Sequence, residues 1–199
     1  MSLLSIAVVL FLIMDPFGNI SSILSLTKDY DSKTQRRIIL REMLIALTFM
    51  VAFNYLGEFI FYILELNETT VRISSGLVLF LIAIKILFTS PDSPRANLPK
   101  GEPFIFPIAI PLICGPGLMA TIMLYAHMEP YQSIMILAIL MAWVVSAAIL
   151  YFANPIKNFL GTNGLMAAER LVGMVLILIS IQRVMEGLMM FWNTHPHPT

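Results

Sequence analysis

The fold is decided by residues 3–26, which read LLSIAVVLFLIMDPFGNISSILSL. Two apolar runs flank the segment MDPFGN at residues 14–19, where an acid, a proline and a glycine stand together. As one straight helix, residues 2–27 would be about 39 Å long at 1.5 Å per residue, and a bilayer core is only about 30 Å thick. The stretch therefore predicts a membrane-spanning helix that is broken near its centre.

The composition places the rest of the chain in the membrane as well. Of 199 residues, 58% are hydrophobic and 12% are charged, whereas soluble domains are about half apolar and a quarter charged. We therefore expect an all-α, polytopic membrane protein whose surface contacts the lipid bilayer. The formal net charge is zero, so no basic surface indicates nucleic acid as a partner. The single cysteine, Cys114, permits no internal disulfide and offers no metal-ligand spacing, and no cofactor is predicted.

Hydropathy divides the chain into six spans of the length that a bilayer requires. They form a single transmembrane domain over residues 1–199, in which repeat one covers about 1–89 and repeat two about 104–192. Residues 90–103 are rich in proline and predict a cytoplasmic linker, and residues 193–199 predict a short outer tail. The predicted spans are Leu3–Leu26, Leu44–Leu64, Ile73–Phe88, Phe104–Tyr125, Ser133–Phe152 and Leu171–Phe191. Polar connections between them are predicted at 27–37, 65–70, 127–131 and 154–169.

Positive charge orients these spans, because lysine and arginine concentrate in cytoplasmic loops. The opposite side has only Arg72 and Arg183, both near predicted helix ends. Odd-numbered loops are therefore predicted in the cytoplasm, and both termini on the outer side of the membrane. The residues that carry this bias are Lys28, Lys33, Arg36, Arg37, Arg41, Lys85, Arg95, Lys100, Lys157 and Arg170.

An internal duplication relates the two halves of the chain. A shift of about 100 residues aligns the first span with the fourth, and its identical pairs include Ile13/Ile113, Pro16/Pro116 and Leu24/Leu124. At a slightly different shift, GLVLFLI from Gly76 matches GMVLILI from Gly173. Three spans per half is an odd number, so the second half must enter from the opposite face, as in the inverted repeats of many secondary transporters. The alternative is a chance alignment, since Leu, Ile and Val dominate both segments.

Spans one and four both carry proline and glycine near their centres. Proline removes a backbone donor and moves the preceding residue out of helical geometry, and glycine tolerates the conformations that result. Lipid cannot satisfy unwound backbone, so the breaks must be buried in protein or line a wet cavity. We expect a substrate pathway there; the alternative is a pair of proline kinks without a site. The candidate pathway residues are Asp15, Pro16, Gly18, Asn19, Ser21, Ser22, Gly115, Pro116, Gly117 and Thr121.

Asp15 is the acid of this predicted pathway. A carboxylate near the bilayer centre costs about 2.5–3.5 kcal/mol on insertion scales, so it usually serves an ion, a proton or a substrate. It suits a zwitterionic solute, whose ammonium group would lie near Asp15 or the freed carbonyls and whose carboxylate would lie near half-helix N–H groups. The alternative is a structural carboxylate that caps the Gly18 or Asn19 N–H. The two roles are compatible.

The other charged residues suggest lesser roles. Glu58 lies in span two and is either a structural hydrogen-bonding group or a relay. Arg183 and Glu186 are three residues apart, which predicts a helix-surface pair near the outer face. Glu169 and Arg170 are expected at the cytoplasmic start of span six.

Five short motifs follow one another along the chain. They read MDPFGN at 14–19, GE at 57–58, RISSG at 72–76, PIAIPL at 107–112 and GPG at 115–117. In this order they resemble the MarC family over nearly the whole chain. The resemblance implies a bacterial or archaeal inner-membrane protein with six spans, in a family also known as neutral amino acid transporters. The DPxGN motif is often followed by a proline, where this chain has Ser21-Ser22, and this departure leaves the substrate open.

The predicted function is a secondary carrier of small neutral solutes, neutral amino acids first, that works by alternating access. No Walker-type motif occurs, so a solute, proton or sodium gradient would supply the energy. The chain is not predicted to be an enzyme, because the sequence shows no second carboxylate or histidine plainly at the depth of Asp15. A non-transporting membrane subunit or regulator and a channel remain as alternatives. The coupling ion and a homo-oligomeric state also stay open.

Overall fold

The computed structural model describes residues 2–63, 65, 67–88, 108–129 and 131–194. Within them the chain forms seven α-helices, one short π-helical segment and no strand. In chain order these are α1 (Leu3–Met14), α2 (Pro16–Leu26), α3 (Ser32–Ile63), α4 (Glu68–Phe88), the π-helical segment π1 (Ile108–Ile113), α5 (Pro116–Met128), α6 (Gln132–Tyr151) and α7 (Ala153–Thr194). The predicted linker, the start of span four, most of the tail and the Glu58 side chain lie outside the described residues.

Among the described residues, five helical segments are long and apolar enough to cross a membrane. They are Leu3–Leu26, Ser32–Gly57, Glu68–Phe88, Gln132–Tyr151 and Ala153–Asn193. These segments overlap predicted spans one, two, three, five and six, so the all-α polytopic membrane class is confirmed. The predicted fourth span corresponds to π1 and α5, whose helical backbone is interrupted between Ile113 and Pro116.

The polar connection predicted at 27–37 is too long, because α3 already begins directly after Asp31. The Asp31 carboxylate starts the helix by accepting a hydrogen bond from the Thr34 hydroxyl at 2.6 Å. This hydrogen bond holds the pKa of Asp31 below its usual range. Arg36 lies over the ring of Tyr151, 5.1 Å from its centroid, and so packs on α6 while its charge stays near the helix end. Hydropathy detects the apolar part of such a helix and not its polar extension.

The polar connection predicted at 154–169 is also helical. Helix α7 begins at Ala153 and is kinked at Gly161, which has φ 67° and ψ 177°. Positive φ favours glycine, because a side chain would be strained there. Glu169 and Arg170 lie inside α7, beyond this kink.

Nearly every extensive contact between the described helices joins one half of the chain to the other. Helices α1 and α2 pack on α6 and α7, whereas π1 and α5 pack on α3 and α4. In addition, α3 packs on α6 and α4 packs on α7. The buried core is consequently made of both halves, and the two broken spans lie within it.

Helices α4 and α7 approach closely at the two glycines that the repeat aligns. A Cβ added to Gly76 would lie 2.7 Å from Cγ2 of Val184 and 2.9 Å from the carbonyl oxygen of Ser180. A Cβ added to Gly173 would lie 2.9 Å from Cγ2 of Ile86. Small residues at these positions let membrane helices pack backbone to backbone.

Side-chain amides join α3 to α6 near both ends of the pair. Asn54 of α3 donates to Gln132 Oε1 at 2.8 Å, and Asn154, the second residue of α7, donates to Gln35 Oε1 at 2.9 Å. The first pair joins α3 to the start of α6, and the second joins the start of α3 to the junction that follows α6. Buried amides require such partners, so the two pairs fix the antiparallel register of α3 and α6.

Candidate functional site

The first break is organised by Asp15, which ends α1 and begins α2. Its backbone is left-handed, with φ 41° and ψ 61°, a conformation that Asp and Asn adopt more readily than most residues. Its N–H donates to the carbonyls of Phe11 and Leu12 at 3.2 Å, and Pro16 then opens α2. The Asp15 carboxylate accepts the Gly18 N–H at 3.2 Å. The predicted capping role of Asp15 is thus observed.

The second break has a different chemistry. The backbone of Ile110 leaves helical geometry inside π1, and the Cys114 N–H donates to the Ala109 carbonyl at 2.8 Å. Gly115 is extended and has no side chain with which to cap α5, which opens with Pro116. The first turn of α5 therefore presents backbone N–H groups that receive no side-chain cap from Gly115. The positive end of the helix dipole lies at the same place.

Asn19 brings the two breaks together. Its Nδ2 donates to the Met14 carbonyl at 2.8 Å, across the first break, and to the Leu112 carbonyl at 3.4 Å, at the second. The side chain is buried. One amide thus satisfies carbonyls at both interruptions, although Asn19 and Leu112 are 93 residues apart in sequence. The two broken segments therefore meet in the fold.

A second acid approaches the first break from α7. A Cβ added to Gly18 would meet the Asp15 carboxylate on one side and Cγ of Glu169, at 3.0 Å, on the other. From sequence, Glu169 is predicted at the cytoplasmic start of span six, and no second carboxylate is predicted plainly at the depth of Asp15. Because α7 is helical through this region, it carries Glu169 to the first break, where Glu169 approaches Gly18.

The remaining predicted pathway residues differ in their placement. Pro16, Gly18, Gly117 and Thr121 are buried, whereas Ser22 and Gly115 are half-buried and Ser21 and Pro116 are exposed. Gly117 packs against α4, and Thr121 lies one turn further along α5, away from the break. The structure therefore gathers Asp15, Gly18 and Asn19 at the first break, and directs Ser21 away from it.

The predicted Arg183–Glu186 surface pair does not form. Glu186 instead accepts Arg72 Nη1 at 2.6 Å and Gln182 at 2.9 Å, and Arg72 Nη2 also binds Glu68 at 2.6 Å. Helix α7 runs on to Thr194, so Arg183 is not near a helix end. It turns into the bundle while Glu186 stays half-exposed at the α4–α7 surface.

Arg183 forms a second polar cluster, which the sequence analysis missed. Its side chain is only 4% exposed and lies between α4, α5 and α7. Nη1 donates to Thr121 Oγ1 at 3.3 Å and lies 3.5 Å from Ser75 Oγ, and the guanidinium carbon is 4.7 Å from the Tyr125 ring centroid. The available signal was the position of an arginine inside predicted span six, since intramembrane charges usually face a functional interior.

Glu42 is another buried charge that the sequence analysis passed over. It is 0% exposed, and its Oε1 pairs with Arg41 at 3.0 Å. Its Oε2 has no hydrogen-bond partner among the described residues. The predicted span two began two residues later, so the longer α3 is the reason that Glu42 lies inside the bundle.

These features define a class: a polytopic helical membrane protein in which two interrupted helices meet inside the bundle. Comparison with known sequences gives the family. A family model described as MarC family integral membrane protein matches residues 1–192, and the chain belongs to this family. The resemblance seen in the motifs is therefore confirmed.

Relatives match along nearly their whole length. The UPF0056 inner membrane protein YhgN of Escherichia coli strain K12 is 43% identical over 191 residues, covering 95% of this chain and 97% of that protein. A UPF0056 membrane protein of Buchnera aphidicola (strain Bp) is 38% identical over 190 residues, covering 94% and 96%. One of Chlamydia pneumoniae is 31% identical over 193 residues, covering 96% of each chain. No solved structure matches.

Proposed function

We propose that this protein is a secondary transporter that moves small neutral solutes, neutral amino acids first, across the bacterial inner membrane by alternating access. The observation that carries the proposal is the meeting of the two breaks through Asn19. Two unrelated proline kinks are not expected to share one buried side-chain amide, as these breaks share that of Asn19. Interrupted helices that meet near the membrane midplane are the arrangement in which many secondary transporters bind their cargo.

We further propose that the halves are inverted repeats with six spans and with both termini outside. In support, each broken span packs on the second and third spans of the other half. Gly18 of the first break faces α7, and Gly117 of the second break faces α4 in the corresponding way. The amide pairs of Asn54 and Asn154 occupy opposite ends of the α3–α6 contact. A two-fold axis in the membrane plane accounts for all three correspondences.

The chemistry of the breaks suits a zwitterion. Asp15 supplies a negative charge at the first break, where an ammonium group gains both charge attraction and a hydrogen bond. The first turn of α5 supplies a positive dipole end for a carboxylate. Asp15, which lies at the first break, is the candidate for coupling to a proton gradient, with sodium as the alternative ion.

Counterflow in proteoliposomes tests this function. The vesicles are loaded with unlabelled neutral amino acids, and uptake of labelled amino acid by the wild-type protein is compared with uptake by Asp15→Asn. Asparagine tolerates the left-handed backbone and keeps an oxygen that accepts the Gly18 N–H, so this substitution removes the charge and retains the cap. We expect saturable exchange by the wild type and a loss of about tenfold or more in the variant, since a hydrogen bond to a charged group is worth about 1.5–3 kcal/mol. Asp29→Asn, at an exposed position in the α2–α3 connection, is the matched control and retains exchange.

The outcomes separate the alternatives. Exchange that Asp15→Asn leaves unchanged would remove Asp15 from the pathway. Conductance without saturation would identify a channel. No exchange of any neutral amino acid by folded protein would reject this cargo and favour the non-transporting subunit or regulator.

A further inference from the structure

The Arg183 cluster contains a buried positive charge without a balancing acid. No carboxylate in the described ranges forms an ion pair with Arg183. Glu186, the nearest acid along α7, is held by Arg72 and Gln182. An unpaired charge inside a membrane protein is strongly unfavourable unless it serves an ion or a substrate.

The hydroxyl groups around Arg183 hold it without neutralising it. Thr121 Oγ1 donates its own hydrogen to the Gly117 carbonyl at 2.8 Å, and Ser75 Oγ donates to the Arg72 carbonyl at 3.0 Å. Both oxygens therefore meet Arg183 as neutral acceptors. The Tyr125 ring lies over the guanidinium face, 4.7 Å from its carbon. These contacts fix the orientation of the guanidinium group and leave its charge in place.

One edge of the guanidinium group has no partner. Nη2 is buried and makes no hydrogen bond to any part of the chain that the structure describes. A guanidinium group presents its N–H donors as a planar fork that matches the two oxygens of a carboxylate. Nη2 of Arg183, whose neighbour Nη1 is held by Thr121, is the donor of this group that is left for an anion.

We propose that Arg183, with Thr121, Ser75 and Tyr125, forms a second site on the pathway, separate from the one at the breaks, and that it binds the carboxylate group of a small solute. The location fits a pathway, because Thr121 lies one turn beyond Gly117 on the helix that begins at the second break. The cluster thus continues from that break toward the end of the bundle where Arg72 pairs with Glu186. That the carboxylate belongs to a neutral amino acid rests on the proposed function; the anion site itself does not.

Binding to purified protein in nanodiscs, measured by isothermal titration calorimetry, tests the site apart from transport. The probes are L-alanine, alaninamide, sodium acetate and sodium chloride. We expect alanine and acetate to bind and alaninamide, which lacks the carboxylate, to bind at least about tenfold more weakly, as the loss of one charge-assisted hydrogen bond implies. Arg183→Gln lowers alanine affinity by a similar factor, and Arg183→Lys lowers it less. Arg170→Gln, an exposed change on the same helix, is the matched control and keeps wild-type affinity.

Each result decides the proposal. Alanine affinity that is equal in Arg183→Gln and the wild type overturns it, and so does equal affinity of the wild type for alanine and alaninamide. Chloride binding as tight as acetate binding assigns the cluster to an inorganic anion and overturns the proposal of a carboxylate ligand. If Arg183→Gln does not fold, two other measurements decide in its place: the wild-type probe series and the Thr121→Val variant. Thr121→Val removes one orienting hydroxyl and is expected to weaken alanine binding. Alanine binding without counterflow would reject the transport function and leave this site standing.

Discussion

Single residues at the breaks serve several purposes at once. Asp15 accepts a left-handed backbone, caps α2 and keeps a carboxylate inside the bundle. Asn19, four residues on, supplies the donor for carbonyls that the two breaks release. Proline and glycine create the interruptions, but the polar neighbours satisfy the backbone that the interruptions expose. Stability and the proposed solute site therefore depend on the same few side chains.

Asn19→Ala is expected to destabilise the protein, because it leaves the Met14 carbonyl, buried with the break, without its 2.8 Å donor. Loss of one partner of a buried hydrogen bond costs about 1–3 kcal/mol. For a domain of this size each kcal/mol lowers the unfolding midpoint by about 2–4 °C. Thermal unfolding of the purified protein measures the change. Asn163→Ala, at an exposed position of α7, is the control, and equal midpoints for the two variants would contradict the bridging role.

At the scale of helices, the sequence predicts breaks better than ends. Proline and glycine act on their own neighbours, so the interruptions near Asp15 and Gly115 follow from local chemistry. Helix ends depend on caps and packing. Asp31 starts α3 in a polar segment. Helix α7 includes residues 154–169, because a polar segment that hydropathy assigns to a connection can still be helical.

Contacts between residues that are distant in the chain were not predicted from the sequence. The Asn19–Leu112 hydrogen bond and the Arg183–Thr121 contact each join helices from different parts of the chain. The spacing of Arg183 and Glu186 predicts a pair, yet Arg72 arrives from α4 and takes Glu186. Only packing decides which face of a helix meets which neighbour, so the pathway residues were predicted as segments and the Arg183 cluster was missed.

The α4–α7 contact gives a prediction at this same scale. Gly76→Ala forces the two helices apart, since the new methyl group would lie 2.9 Å from a backbone oxygen that cannot rotate away. Overpacking of this kind costs about 1–3 kcal/mol, and we expect a lower thermal unfolding midpoint. Ser74→Ala, two residues earlier and exposed, removes only a hydroxyl and is the control. A Gly76→Ala midpoint at or above that of the control would show that the helices do not depend on this close approach.

For the whole molecule, the decisive question is whether residues 108–128 cross the membrane. Their interrupted backbone keeps them out of the set of five long apolar helices, yet π1 and α5 contact α3 and α4 as α1 and α2 contact α6 and α7. The proposed inverted repeat adds a sixth crossing here, because only an odd number of spans per half inverts the second half. The positions of loops on the two sides of the membrane therefore test the repeat directly.

Cysteine labelling in spheroplasts measures those positions. Cys114 is buried and is the chain's only cysteine, so a Cys114→Ser background accepts single cysteines at exposed sites. With six spans and outer termini, a membrane-impermeant maleimide labels Thr70→Cys and Asn193→Cys in intact spheroplasts, and Asp29→Cys and Asn158→Cys only after permeabilisation. If residues 108–128 do not cross, the second half is not inverted and positions 158 and 193 exchange sides, while 29 and 70 keep theirs. Positions 29 and 70 thus control for orientation, and positions 158 and 193 decide between five crossings and six.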